Sequence, residues 1–199
     1  MLEEIVVLTG EIEGPHLTEA LKYQNPALRV FVATTADELQ TLMAPPHPGR
    51  RLVSFCAGVV VGAELLEGLS GPAYNFHPGS PEFPGSCSAS FAIYEGAERF
   101  AATAHEMRAK VDSGPIVATS WFDVPPGSKY VDLELMTYER LLKLFHRLAP
   151  HLAMDNAPLP ATGEQWSGPT RTKAEAERLR AIEADLSEEE IKRRYYAFG

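Results

Sequence analysis

The sequence predicts an α/β protein: a doubly wound, mostly parallel sheet with a short helical C-terminal extension. Three observations predict it. Short, continuous apolar runs alternate with helix-like segments, the order that builds βαβ units around a parallel sheet. The runs lack apolar/polar alternation, so they read as strands buried on both faces. After Asn156-Ala157-Pro158-Leu159-Pro160 the composition turns polar and two further helix patterns follow. Residues 1–157 therefore read as one α/β domain, and residues 158–199 as a linker and helical extension.

In chain order, Ile5-Val6-Val7-Leu8 is the first strand, ended by Thr9-Gly10. Pro15 to Tyr23 is a helix with proline near its start, where a missing N–H is harmless. Leu28 to Val32 is the second strand. Thr35 with Glu38 forms a capping-box pattern for the next helix, which stops near Pro45-Pro46. Leu52 to Phe55 is the third strand, Ala63 to Leu69 a helix, and Ala73 to Phe76 the fourth strand. A short helix around Ala89 to Tyr94 ends at Gly96. Phe100 to Met107 and Ile116 to Phe122 read as two strands joined by the turn Val111-Asp112-Ser113-Gly114-Pro115, a hairpin-like edge on the sheet. Val131 to Leu152 carries the clearest helical stripe, with Leu135, Leu142, Phe145 and Leu152 at its spacing. Pro150 is expected to kink its end. Lys173 to Ala184 and Ser187 to Phe198 complete the chain, the latter with a Ser187/Glu190 capping box.

Composition narrows the function. The chain has 199 residues, 45% hydrophobic and 23% charged, with a net charge of −9. Nucleic acid is not an expected partner, because phosphate binding needs clustered Lys and Arg. Arg171, Lys173, Arg178 and Arg180 read as a solvated helix face. No apolar run approaches the ~20 residues that span a bilayer. Met1-Leu2-Glu3-Glu4 is acidic where a secretory leader would be basic, so a cytoplasmic location is expected. Cys56 and Cys87 lack ligand-type spacing and read as small buried apolar residues.

The stretch from Tyr74 to Gly85 concentrates the chemistry. It starts as a strand, breaks at His77-Pro78 and runs through Pro81 and Pro84-Gly85. Asn75 and His77 are two apart and share one strand face, at a strand end where open α/β sheets place their sites. His105 and Asp112 stand near the ends of later elements. No Gly-x-Ser-x-Gly elbow, no His-Glu-x-x-His pattern and neither glycine-rich nucleotide loop is present. A metal is therefore not expected. Acid/base and oxyanion chemistry remain: His and Asn donate to an oxygen that gains charge, and Asp accepts a proton. That set suits attack of an amine on an acyl group.

The motif residues also resemble a known family. Asn75-Phe76-His77-Pro78-Gly79-Ser80 resembles the Asn-x-His-Pro-Ser motif of folate-dependent formyltransferases, which act on methionyl-tRNA, glycinamide ribonucleotide or amino sugars. His105 and Asp112, seven residues apart and followed by Ser113-Gly114-Pro115, resemble its second motif. Ala57-Gly58 resembles the start of a folate-lining loop. The resemblance is good from Leu52 to Phe122 and holds in outline before that.

It implies a Rossmann-like formyltransferase fold with residues 1–157 as the catalytic domain. It implies 10-formyltetrahydrofolate as co-substrate, without a metal, held by Ala57, Gly58, Val59, Val60, Arg108, Lys110 and Val111. Asn75 and His77 would stabilise the oxyanion, Asp112 would help move the amine proton, and His105 would support them. Thr9-Gly10-Glu11-Ile12-Glu13-Gly14 lacks the phosphate loop of the glycinamide ribonucleotide enzyme, and its two acids would repel phosphate. The tail after Pro160 is too short for the tRNA enzyme's C-terminal β-domain and is more similar to the helical extension of some sugar formyltransferases. The expected acceptor is a small-molecule amine, of amino-sugar or amino-acid type. Hydrolysis of 10-formyltetrahydrofolate and non-catalytic folate binding are the alternatives. Trp166 and the Arg-rich tail are expected to cover the acceptor site or a dimer interface, and a homodimer is left open.

Overall fold

The structure, a computed structural model, describes residues 2–199. Six strands, β1 (Glu4–Leu8), β2 (Arg29–Ala33), β3 (Arg50–Phe55), β4 (Tyr74–His77), β5 (Arg99–Glu106) and β6 (Ile116–Asp123), form one sheet in the order β2-β1-β3-β4-β5-β6. β1 to β4 are parallel, and β5 and β6 add antiparallel to the β4 edge. The expected mostly parallel sheet with a hairpin-like edge is what forms. β1 and β3 are buried along their whole length; Ile5–Leu8 and Leu52-Val53 supply the apolar runs that mark them, while Glu4, Arg50, Arg51 and Ser54 are buried polar members of the same strands.

The helices are α1 (Glu13–Gln24), α2 (Ala36–Met43), α3 (Ala63–Glu67), α4 (Ser88–Glu95), α5 (Tyr130–Met154), α6 (Lys173–Arg180) and α7 (Glu188–Phe198). Ile5, Val7, Val53, Phe55 and Phe76 turn one way, onto Leu17 and Leu21 of α1 and Leu141, Leu144 and Phe145 of α5. Val6, Leu8 and Leu52 turn the other way, onto Leu39 of α2 and the partly buried Leu65 and Leu66 of α3. The alternation is the period of two of a strand, and it makes the sheet doubly wound. No helix among the described residues is long and apolar enough to cross a membrane.

α5 runs through Pro150, as the predicted span does, and ends at Met154 rather than Leu152. Leu135, assigned to the buried stripe, is 62% exposed, while Leu133 is fully buried. The reason is that Leu135 faces an open chamber beside the sheet. Lys173 to Ala184 also shortens: α6 stops at Arg180, where Ala181 turns to extended backbone.

The tail does not stand apart. Ala176 of α6 and Ala197 and Phe198 of α7 share a hydrophobic cluster with Phe91 and Ala92 of α4, Phe100, Phe122 and Leu133. Phe198 meets Phe91 edge-on at 5.5 Å. Buried Arg51 holds the start of the connection, donating from Nη1 to the Leu152 carbonyl at 2.9 Å in the last turn of α5.

Candidate active site

β4 and β5 assemble the site. Their antiparallel register sets Asn75 opposite His105 and His77 opposite Thr103. Side chains opposite one another share a face, so the amide and both imidazoles converge. The β5/β6 register slips between Ala104 and His105, an irregularity of the kind that re-aims side chains beside active sites.

Asp112 arrives from the loop before β6 and lies between the two histidines. Its Oδ1 is 3.1 Å from His105 Nε2, and its Oδ2 is 3.4 Å from His77 Nδ1. The Gly85 N–H also donates to Oδ2, at 2.8 Å. Asn75 Nδ2 lies 3.1 Å from His105 Nε2. His105 Nδ1 is 2.9 Å from the Glu106 carbonyl, which can only accept. His105 Nδ1 thus faces an acceptor, while its Nε2 lies between the Asp112 carboxylate and the Asn75 amide nitrogen.

Burial alone would raise the Asp112 carboxyl. Attraction to the His77 and His105 imidazoles and the hydrogen bonds from His105 and Gly85 outweigh it and hold its pKa at about 2. For His77 the largest influence is burial, which pushes its pKa down; Asp112 pulls the other way and His105 pushes it further down. The site therefore sets a fixed carboxylate beside an imidazole that resists charging, two titratable groups driven apart by their surroundings.

Ser88, the first residue of α4, completes the His77 environment. Its Oγ–H donates to the Phe83 carbonyl at 2.8 Å, and the same oxygen lies 3.2 Å from His77 Nε2. With its one proton engaged there, the oxygen offers a lone pair to an Nε2–H. Gly79 is required by this closeness. A Cβ there would overlap His77 Nε2 and lie 2.7 Å from Ser88 Oγ.

Three non-glycine residues among those described have positive φ: Cys56, Cys87 and Asp112, at 50°, 58° and 44°. All three border the site. Such conformations cost about 1–3 kcal/mol each and gather at functional sites. The Cys56 thiol, pushed up to about 12 by burial first and then by Glu13, is no nucleophile.

Two chambers meet here. One, of about 150 Å³, is bordered by Asn75, His77, His105 and Asp112 together with Ala57, Gly58, Val59, Val60, Arg108 and Val111. Of the folate-binding residues expected from sequence, Lys110 alone stays outside it; its carbonyl accepts from Ser113 Oγ at 2.7 Å. The other chamber, of about 560 Å³, is bordered by Cys56, Cys87, Ser88, Val131, Glu134, Leu135 and Tyr138. Ala57, Gly58, His77, Gly85, Ser86 and Lys173 border both. His77 thus stands at the junction.

Ser88, Gly85 and Lys173 were not singled out as site residues from sequence. Ser88 and Gly85 carry a signal in hindsight, since both lie within a dozen residues of His77, Gly85 at the end of the turn-rich stretch and Ser88 just after it. Lys173 gives none: it opens α6 nearly a hundred residues further on.

No family model matches the chain. Solved structures match it along its whole length. A sugar N-formyltransferase from Shewanella sp. is 12% identical, with 99% of this chain and 88% of that one covered and a TM-score of 0.78. A 4-N formyltransferase from Francisella tularensis is 16% identical, with 98% and 87% covered and a TM-score of 0.73. An N-formyltransferase from Helicobacter canadensis is 13% identical, with 100% and 81% covered and a TM-score of 0.71. The chain has the fold of these proteins.

Proposed function

We propose that this protein transfers a formyl group from 10-formyltetrahydrofolate to the amine of an amino sugar. The observation that carries the reading is the convergence of Asn75, His77, His105 and Asp112 where the two chambers join. The fold supports it, and the Helicobacter canadensis neighbour was solved with folinic acid and dTDP-3-aminofucose.

The smaller chamber takes the pteridine and formyl end of the donor against the Ala57–Val60 loop. The larger chamber takes the acceptor. Its wall mixes apolar Val131 and Leu135 with the carboxylate of Glu134 and the hydroxyl of Tyr138, a surface suited to a deoxygenated sugar ring with few hydroxyls. The Tyr138 hydroxyl, a donor to Glu13 at 3.2 Å, stays neutral. Lys173, on the border of both chambers, offers a positive charge to an anionic part of either ligand.

The amine lone pair attacks the formyl carbon, and the carbonyl oxygen takes up the electrons. Asn75 and the His77 Nε2–H donate to that oxyanion, the task of preorganised donors. His77 exchanges its Ser88 contact for the substrate oxygen. The C–N10 bond then breaks and the oxygen re-forms the carbonyl. The proton lost by the amine replaces the bond at N10, passing by way of the Asp112 carboxylate. A pKa of about 2 makes Asp112 a poor place for a proton to rest, so it acts in transit.

The test has two arms. Calorimetry with folinic acid should show one site per chain, and a panel of amino sugars with 10-formyltetrahydrofolate should yield a product heavier by one formyl group. No folate binding would overturn the reading. Formyl release that ignores every amine would replace transfer with hydrolysis.

A further inference from the structure

We propose that Trp166 is a positioning residue that fixes the planes of His77 and His105 from the side opposite the substrates. The inference rests on the formyl-transfer reading for its consequence, but the contact itself stands on geometry. The Trp166 indole meets the His105 ring at 4.9 Å between centroids with an interplanar angle of 89°, and the His77 ring at 5.8 Å and 67°. These are edge-to-face arrangements, the kind aromatic quadrupoles favour. Trp166 borders neither chamber. It therefore supports the imidazoles without touching what they act on.

Asp112 and the Glu106 carbonyl hold both ring nitrogens of His105, but His77 gives up its Ser88 contact to the substrate oxygen and then needs a second restraint. Rotation of an imidazole about its terminal torsion is soft. Asp112 holds His77 through one contact at 3.4 Å, beyond the usual range of an N–H···O bond. A neighbouring ring set across the imidazole blocks rotation that this contact leaves open.

Trp166 is itself held. Its indole N–H donates to the Gly114 carbonyl at 2.8 Å, two residues from Asp112 in the same loop. A Cβ on Gly114 would overlap the Glu106 carbonyl, so that loop is pressed against the end of β5. The chain on either side of Trp166 is hydrogen-bonded to the loop after His77 and to the start of β6. Thr162 N–H donates to the Ile116 carbonyl at 2.8 Å, Ser167 N–H to Pro81 at 2.8 Å, and Arg171 N–H to Pro84 at 2.8 Å; Ser86 N–H returns a bond to Arg171 at 2.9 Å. Residues 162–171 are thus a strap spanning the start of β6 and the turn-rich loop after His77. Trp166 is where the strap meets both histidines and the Asp112 loop at once.

The experiment compares the full chain with Trp166→Ala and Trp166→Phe, reading imidazole ring nitrogens by NMR across pH and folinic acid affinity by calorimetry. Loss of the indole lets water reach His77. Its titration midpoint should rise in Trp166→Ala by about one pH unit, part of the range burial commands, and the His105 ring signals should move with it. Trp166→Phe keeps a ring but loses the Gly114 bond, and should fall between the other two. Folinic acid should bind all three chains within about twofold, because the indole borders neither chamber. Unchanged ring spectra in either folded variant would overturn the proposal, as would a folinate affinity that falls tenfold with the rings unmoved. Absence of folinate binding in the unmodified chain would instead break the formyl-transfer reading and leave the Trp166 measurement intact.

Discussion

Replacing Asp112 by Asn removes the charge at the centre of the site while keeping its shape, and its effect on stability can be worked from the structure. The ordinary aspartate pKa of 3.8 falls to about 2 in the folded protein. At about 1.36 kcal/mol per pH unit, this is on the order of 2 kcal/mol of stability at neutral pH. The sign follows from linkage. A carboxylate with a depressed folded-state pKa contributes fully above its unfolded value and loses the contribution as pH falls toward about 2. The difference in unfolding free energy between the protein and Asp112→Asn should therefore be level above about pH 5, fall by roughly half by pH 3 and vanish near pH 1. Urea denaturation at a series of pH values measures it. The Gly85 N–H keeps an acceptor in the carbonyl oxygen of the substituted amide, so folinic acid should still bind. Turnover should fall by about 10²–10³, the size of losing one preorganised electrostatic contact. A stability difference that does not change between pH 7 and pH 3 would refute the assignment of a charged, histidine-held Asp112.

Two further substitutions test the framework. Gly79→Ala should lower turnover at least about tenfold with little loss of fold, because a Cβ overlapping His77 Nε2 displaces the ring and sub-ångström misplacement is costly in catalysis; kinetics with a circular dichroism control checks it. Phe198→Ala should destabilise the whole protein by about 3–5 kcal/mol, since Phe198 is 2% exposed and packs on Phe91 and Tyr94; thermal unfolding would show one transition at lower temperature, whereas loss of the tail alone would show two.

Much of this arrangement is legible in the sequence, and the reasons differ by element. β1 and β3 are buried on both faces, so their apolar runs declare them. Asn75 and His77 share a face because a strand has a period of two, and that rule also puts Thr103 with His105; the β4/β5 register then brings the two pairs together. The strap is different. Residues 162–171 form no helix or named strand of their own, and their bonds run to the loop after His77 and to the first residue of β6 rather than along a periodic partner. Nothing in local pattern tells where such a segment lies. Trp166, expected with the tail to cover the acceptor site or a dimer interface, instead packs edge-on against both histidines and borders neither chamber. The expectation for Leu135 fails for a different reason. Helical spacing marks a stripe, but it cannot distinguish a residue facing the core from one facing a chamber beside it.

The central claim is that His77 and Asn75 act on a formyl group at the junction of a donor and an acceptor chamber. The most direct measurement is the appearance of tetrahydrofolate from 10-formyltetrahydrofolate, followed by absorbance, with and without a panel of amino sugars, alongside the mass of the acceptor. Tetrahydrofolate should appear only when an accepting amine is present, one equivalent for each formyl group gained, and His77→Ala should abolish both. Equal release with and without amines, or turnover that survives His77→Ala, would contradict that claim.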